Sequence, residues 1–317
     1  MLRVFTESRC AGHQAPPGYP ESPARLAGIL AEIRRRGWEI AEPGPHPAAR
    51  AAVESLHNPD YVRRFEEAAR RGDGLLDSAD NPLSRGTWDA AWAAADAALH
   101  AADWVAGGEN RTAFAAARPP GHHAEHATAM GFCFFGNAAL AAERLRREHG
   151  FERVAVFDFD VHHGNGTQHL FEERPDILYA SVHQYPFYPG TGAATERGRG
   201  AGLGATVNVP LPAGTGDDGY RLAFEERILP ALREFGPGAL VVSAGFDAWQ
   251  RDPLGGMRVT EEGFRDWGRR LGEFAGEVCG GRVVAILEGG YDLRALPGLA
   301  AGHLAALSGA PAASAPD

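Results

Sequence analysis

Val154-Ala-Val-Phe-Asp158-Phe-Asp160-Val-His162-His163-Gly-Asn165-Gly-Thr-Gln-His-Leu-Phe171 is the stretch on which the reading of the fold turns. Its opening residues are apolar without interruption. Such a run reads as a strand buried on both faces, the kind found in a parallel sheet covered by helices. It stops abruptly in acidic residues and histidines. Continued strand alternation would put Asp158, Asp160 and His162 on one face, and a carboxylate and an imidazole two residues apart can bind one metal ion together.

Working outward, the same design recurs. Apolar runs at Leu2–Phe5, Thr112–Ala116, Val154–Phe157, Ile177–Val182, Ala205–Val209, Ala239–Ser243 and Arg282–Leu287 are expected strands. Helical patterns lie between them at 23–36, 59–71, 86–106, 137–149, 218–235 and 261–279. Alternating strand and helix predicts one α/β domain with a doubly wound sheet. No repeat or linker interrupts 1–307. The tail 308–317 is small and Pro-bearing, and is expected to be disordered.

Composition narrows the function. The chain has 317 residues, enough for one large core, and its 44% hydrophobic and 23% charged content is that of a soluble globular protein. A net charge of −10 argues against a nucleic-acid partner, which would need basic surface to neutralise phosphates. All 31 basic residues are arginine. The absence of lysine excludes a Schiff-base lysine, a Ser–Lys dyad and a phosphate-binding P-loop. Cys10, Cys133 and Cys279 are far apart without a Cys-x-x-Cys, so neither a disulfide framework nor a thiolate zinc site is indicated. Asp96, His100 and Asp103 interrupt the Ala-rich stretch 90–107, leaving no run of membrane-spanning length and no membrane partner. The N-terminus lacks a signal-peptide pattern, so the expected location is cytoplasmic.

Four expected strands end in polar clusters: Arg118-Pro-Pro-Gly-His-His123, Asp158-Phe-Asp-Val-His-His163, Gly245-Phe-Asp247 and Glu288-Gly-Gly-Tyr291. Open parallel sheets bind ligands beyond the carboxyl ends of their strands, so the four clusters are expected to converge. Asp247 can join Asp160 and His162 on a zinc ion that keeps one position free for water and substrate. His122 and His123 can supply a general base. Asp158 is the expected partner of His122 and raises its pKa; Asn165 is the expected neutral partner of His123 and leaves its pKa lower. Tyr291 offers a hydroxyl to a developing oxyanion. A lone Asp-x-His or histidine pair is more often solvated or structural, and the convergence of four strand ends outweighs that reading. His126, His163 and His169 are read as structural. Gly214-Thr-Gly216-Asp-Asp-Gly219 fits a dinucleotide-binding glycine pattern, but its aspartates would repel a pyrophosphate, and it is not expected to lie between a strand and a helix.

RPPGHH (118–123), GFCFFGN (131–137), DFDVHHGNGTQ (158–168), SVHQYPFYPGTG (181–192), SAGFDAWQRDPLGG (243–256) and LEGGYDL (287–293) together resemble the histone deacetylase family. PESPAR (20–25) and DNPLSRGTW (80–88) match more weakly. Asn in HHGNG, where the class I pattern has Asp, places the chain nearer the class II-like bacterial deacetylases and acetylpolyamine amidohydrolases. The resemblance implies the single-domain arginase–deacetylase fold, with a mostly parallel, eight-stranded sheet flanked by helices on both faces. It implies zinc on Asp160, His162 and Asp247, His123 as the base that activates water and then protonates the leaving amine, His122 with Asp158 as its electrostatic partner, and Tyr291 on the carbonyl oxygen. Phe132 and Tyr188 would wall the acyl-chain tunnel, Gly131 would offer its carbonyl to the substrate amide, and Leu254 would stand at the mouth. Arg25 would lie near an inner channel for acetate, and Asp80 at the rim would grip the substrate backbone. A structural potassium ion is implied on Asp158, Asp160, His162, Ser181 and Val182. Tyr19 and Tyr188 depart from the commoner His and Phe, which bears on substrate preference.

The expected reaction is zinc-dependent hydrolysis of an acetyl amide with release of acetate. A site selecting acetylpolyamines should carry a carboxylate at the mouth to meet the second positive charge. Leu254 is apolar, so acetyl-lysine peptides are expected ahead of acetylpolyamines and other small amides. A two-manganese ureohydrolase on the same fold would need more bridging carboxylates; Asp252 is available, but the histidine pair and Tyr291 fit one metal better. A non-catalytic acyl-lysine binding module would be favoured by loss of Tyr291 or a zinc ligand, and neither is lost.

Overall fold

The computed structural model describes residues 1–310. Its strands are β1 (Leu2–Phe5), β2 (Ile40–Ala41), β3 (Thr112–Ala115), β4 (Val154–Asp158), β5 (Ile177–Gln184), β6 (Thr206–Leu211), β7 (Ala239–Ala244) and β8 (Val283–Leu287). They form one all-parallel sheet in the order β2-β1-β3-β8-β7-β4-β5-β6. The strands β3, β4, β5, β7 and β8 are buried at every residue, which is why they read as unbroken apolar runs. Both edges are blunted. β2 has two residues, too few for any pattern to reveal, and β6 carries Pro210, whose missing N–H suits only an edge.

Helices form at Pro23–Arg35, Pro59–Arg71, Thr87–Ala106, Asn137–Arg147 and Glu261–Val278, where the sequence predicts them. Their ends follow local chemistry. The Asn58 side chain accepts from the Asp60 N–H, Pro59 opens the helix, and Gly72 closes it at φ 74°. The expected helix 218–235 is continuous but contains a π-turn at Phe224–Ile228. Three helices escape the sequence pattern. Ala49–Leu56 and Asn165–Phe171 are short, and Leu296–Ser308 is largely buried and so lacks a one-sided apolar stripe. That last helix runs through Ser308, one residue past the expected domain end. Residues 311–317 of the expected tail lie outside the described residues. Contrary to expectation, Gly214–Gly219 follows a strand, β6, and opens a helix, Asp217–Ala223. Asp217 there accepts from the N–H (2.9 Å) and hydroxyl (2.6 Å) of Thr260, a contact within the fold. Among the described residues, no helix is long and apolar enough to cross a membrane.

The sheet order positions the site. The strands β3, β8, β7 and β4 are consecutive neighbours, and each is followed by one of the four polar clusters. Chain direction through the sheet reverses there, which opens the crevice that such sheets use for ligands. Buried charge braces this edge. Glu21 accepts two hydrogen bonds from Arg118 (2.9 and 2.6 Å) and one from Arg25 (3.2 Å), and none of the three side chains reaches solvent. Arg118 also donates to the carbonyls of Cys10 and His13, and Arg25 to that of Gly290. The N-terminal segment is thereby tied to the loops after β3 and β8.

Burial alone would raise the Glu21 pKa, but the two guanidiniums overcome it and hold the carboxyl at about 2. Glu21→Gln should therefore destabilise the fold by roughly 3–5 kcal/mol in urea unfolding, since two buried cations lose their counter-charge. Because the folded pKa is depressed, this contribution is complete above about pH 4.5 and is lost as pH falls toward about 2. The difference between wild type and variant should shrink across that interval.

Candidate active site

β4 ends at Asp158, so strand alternation does not reach Asp160 and His162 as the sequence pattern supposes. The bend that follows turns both inward by other means. The Asp160 N–H donates to Asp158 Oδ1 (3.1 Å), the His162 N–H to Asp160 Oδ1 (3.0 Å), and the Val161 N–H to Asp247 Oδ1 (2.9 Å). Phe159 between them packs into the aromatic core against Phe246 and Trp267. Asp160, His162 and Asp247 bring ligand atoms within 4.8 Å of one another. Both carboxylates are fully buried. Asp247 Oδ2 lies 3.2 Å from His162 Nδ1 without hydrogen-bond geometry and has no donor. A buried carboxylate oxygen left unpaired is costly, and this one, beside an imidazole nitrogen and a second carboxylate, fits a divalent cation. Glycines make the room: a Cβ at Gly245 would come 2.0 Å from Asp160 Oδ2, and one at Gly289 would come 2.2 Å from Asp247 Oδ2.

The histidine pair faces this group. His122 Nδ1 lies 3.0 Å from Asp158 Oδ2, His123 Nδ1 lies 2.7 Å from Asn165 Oδ1, and the two rings are 4.0 Å apart. Burial by itself lowers the pKa of both. For His122, the charges of Asp160 and Asp158 reverse the shift and raise it to about 10. For His123, the nearby His122 and His162 add to burial, and the pKa falls well below its ordinary value. With a neutral partner in place of a carboxylate, His123 is left with a lower pKa than His122; burial and the neighbouring imidazoles drive the fall, and the bond to Asn165 opposes it.

A cavity of about 230 Å³ opens over these groups, walled by Phe132, Tyr188, Leu254 and Tyr291 with Gly131 and Asp80. Gly131 and Phe132 both adopt left-handed backbone, at φ 57° and 69°. A Cβ at Gly131 would come 2.2 Å from the His123 ring, so only glycine fits. Asp80 and Asn81 hold this turn, accepting from the N–H groups of Gly131 (3.1 Å) and Phe132 (3.2 Å). Arg25 does not line the cavity. It lies behind Tyr291, its guanidinium 4.8 Å from the ring centroid. Ser181, followed by Val182, is the register partner of Asp158 across β4 and β5.

The Histone deacetylase domain family model matches residues 19–307. The chain belongs to the histone deacetylase family. A probable deacetylase of Archaeoglobus fulgidus is 41% identical over 302 residues, covering 94% of this chain and 83% of its own length. Histone deacetylase 14, a chloroplastic protein of Arabidopsis thaliana, is 38% identical over 324 residues, covering 96% and 76%. The crystal structure of an acetylpolyamine aminohydrolase from Burkholderia pseudomallei matches with a TM-score of 0.88 at 32% identity, covering 98% of this chain and 99% of that one.

Within this histone deacetylase family member, two groups at the site, Phe187 and Glu288, received no task from the sequence reading. Phe187 lines the cavity and stacks on His162 with ring centroids 5.2 Å apart; adjacency to Tyr188 was its one signal. Glu288 is buried and accepts from the N–H groups of Gly121 (2.7 Å) and His122 (3.1 Å), fixing the backbone that carries the pair. Asp252, the carboxylate available to a two-metal site, instead accepts from the N–H groups of Tyr291 (2.6 Å) and Leu254 (2.9 Å). His122, Cys133 and Glu288 also gather within 4.8 Å, but Cys133 donates to Gly131 O (3.2 Å), and the other two have the partners just given. Asp247→Ala should abolish tight divalent-metal binding, whereas Asp252→Asn should keep it. Elemental analysis of the purified variants checks both, and retained metal in Asp247→Ala would remove that residue from the ligand set.

Proposed function

We propose that this protein is a zinc-dependent deacetylase that hydrolyses N-acetyl amides in the cytoplasm, with acetyl-lysine peptides preferred over acetylpolyamines. One observation carries the reading: His162, grouped with Asp160 and the unpaired Asp247 oxygen, lines a cavity that also holds His123, a histidine kept neutral by its surroundings. Zinc held by those three residues would polarise the acetyl carbonyl and lower the pKa of a nearby water.

The side chains of this chain do the rest. An amide oxygen can only accept, so His123 Nδ1 carries its proton toward Asn165, and Nε2 keeps the free lone pair of a base. Asn165 is oriented in turn by donating to Glu125. His123 can thus take a proton from the attacking water and return it to the departing amine. His122, held cationic by Asp158 and Asp160, places fixed positive charge beside the developing anion. The Tyr291 hydroxyl donates to the oxyanion. Phe132 and Tyr188 pack against the methylene chain, Gly131 O receives the substrate amide, and Arg25 behind Tyr291 would lie near an inner channel for the departing acetate. A potassium ion on Asp158, Asp160, His162, Ser181 and Val182 would serve structure.

Substrate preference rests on the mouth. Leu254 is apolar there, and the carboxylate of Asp80 is already engaged by the protein's own donors. The zinc-loaded protein should release acetate from an acetyl-lysine peptide with higher kcat/KM than from N-acetylputrescine. Release from neither overturns the reading, and a strong preference for N-acetylputrescine overturns its substrate half. His123→Ala should keep the metal yet lose turnover by about a hundredfold or more. Tyr291→Phe should raise the barrier by about 3 kcal/mol with the fold unchanged; a near-native rate would make that ring a packing residue.

A further inference from the structure

Across the mouth of the cavity, the Tyr188 hydroxyl donates to Asp80 Oδ2 at 2.9 Å. The same oxygen accepts from the Gly131 N–H at 3.1 Å, the other accepts from the Ser78 hydroxyl, and the Asp80 carbonyl accepts from the Tyr19 hydroxyl at 2.8 Å. Asp80 is therefore anchored three times without Tyr188. The phenol bond is not needed to hold the residue, and both Asp80 and Tyr188 line the cavity. The Tyr188 ring stands edge-on to His123, with centroids 5.2 Å apart, and the residue is 39% exposed, so it spans from the base to solvent. Burial and the charge of Asp80 push the phenol pKa up, so it remains a donor.

We propose that Tyr188 is a specificity-determining latch that occupies the Asp80 carboxylate and so withholds it from a cationic group on the substrate at the mouth. The inference rests on the deacetylase reading for what enters the cavity. A carboxylate makes its strongest hydrogen bonds to charged donors, so a substrate ending in an ammonium would gain most from a free Asp80. While the latch is closed, that substrate must either displace the phenol or forgo the contact. Discrimination against a distal ammonium is then built from the tunnel wall itself, in addition to the apolar Leu254.

The test uses a matched pair. N-acetylputrescine and N-pentylacetamide share the acetylated four-methylene chain and end in an ammonium and a methyl group. At one fixed ionic strength, Tyr188→Phe should raise the kcat/KM ratio of the first to the second by about threefold or more, a half-exposed site tempering the gain. In an Asp80→Asn background, which keeps an acceptor but removes the charge, the same substitution should leave the ratio unmoved. A ratio that stays level or falls in Tyr188→Phe overturns the latch, and so does an equal rise without the Asp80 charge. Calorimetric Kd values for the two compounds provide a second readout with the same expected shift. If neither compound is hydrolysed, the deacetylase reading fails, while the Kd ratio still decides the latch.

Discussion

Negative charge buried at the carboxyl ends of β4 and β7 is the constraint around which the site is arranged. Asp158, Asp160 and Asp247 have no solvent to screen them, and ions taken out of water cost several kcal/mol each unless paired. Backbone N–H groups meet part of the demand, since Gly289 (2.8 Å) and His162 (3.0 Å) donate to Asp160, and Val161 donates to Asp247. His122 and His162 answer with positive charge. The remainder is uneven. Burial pushes the carboxyl of Asp247 up, with the charge of Asp160 adding to it, while the two imidazoles overcome burial to hold Asp160 down. A divalent cation between these groups and His162 would remove that imbalance, so the cluster is organised for a charge that the polypeptide does not itself provide.

The surrounding elements follow from keeping that cluster dry and close. Parallel strands deliver four loops to one edge, and glycine at 245 and 289 lets two of them approach the carboxylates. Behind them, Arg25 and Arg118 share Glu21, fastening the N-terminal segment against the loops after β3 and β8. In front, Asp80 and Asn81 hold the left-handed turn at Gly131 and Phe132 that forms one wall of the cavity. Each of these contacts joins residues more than fifty positions apart, except the sequence-local pair Glu21 and Arg25. The geometry at the site therefore belongs to the finished fold rather than to any local segment.

That origin explains what could be read in advance. Strands buried on both faces advertise themselves as apolar runs, and the clusters at their ends stand out because polar residues follow with no transition. Asp160, His162, Asp247 and the His122–His123 pair were legible for this reason. The helix Leu296–Ser308 was not, because a segment buried on most sides has no stripe to betray it. Glu288 looked like part of a turn, since its task is to hold two backbone N–H groups from a distant loop. The depth of the fall in the His123 pKa was not legible for a similar reason: its dominant causes, burial and two other imidazoles, come from tertiary proximity. Tyr188 and Asp80 were each assigned to the mouth by resemblance, but their mutual bond is a fact of three dimensions.

Arginine carries every basic side-chain contact that lysine would otherwise share, from the buried Glu21 cluster to the exposed helical pairs such as Arg265 with Glu261. No side chain among these 317 residues carries a primary amine. A catalyst read here as stripping acetyl groups from amines accordingly offers no side-chain amine to be acetylated. Acyl donors in its surroundings could not modify it at lysine, and one copy could not become the lysine substrate of another. Acetylation on a lysine of these 317 residues therefore cannot be what sets its activity.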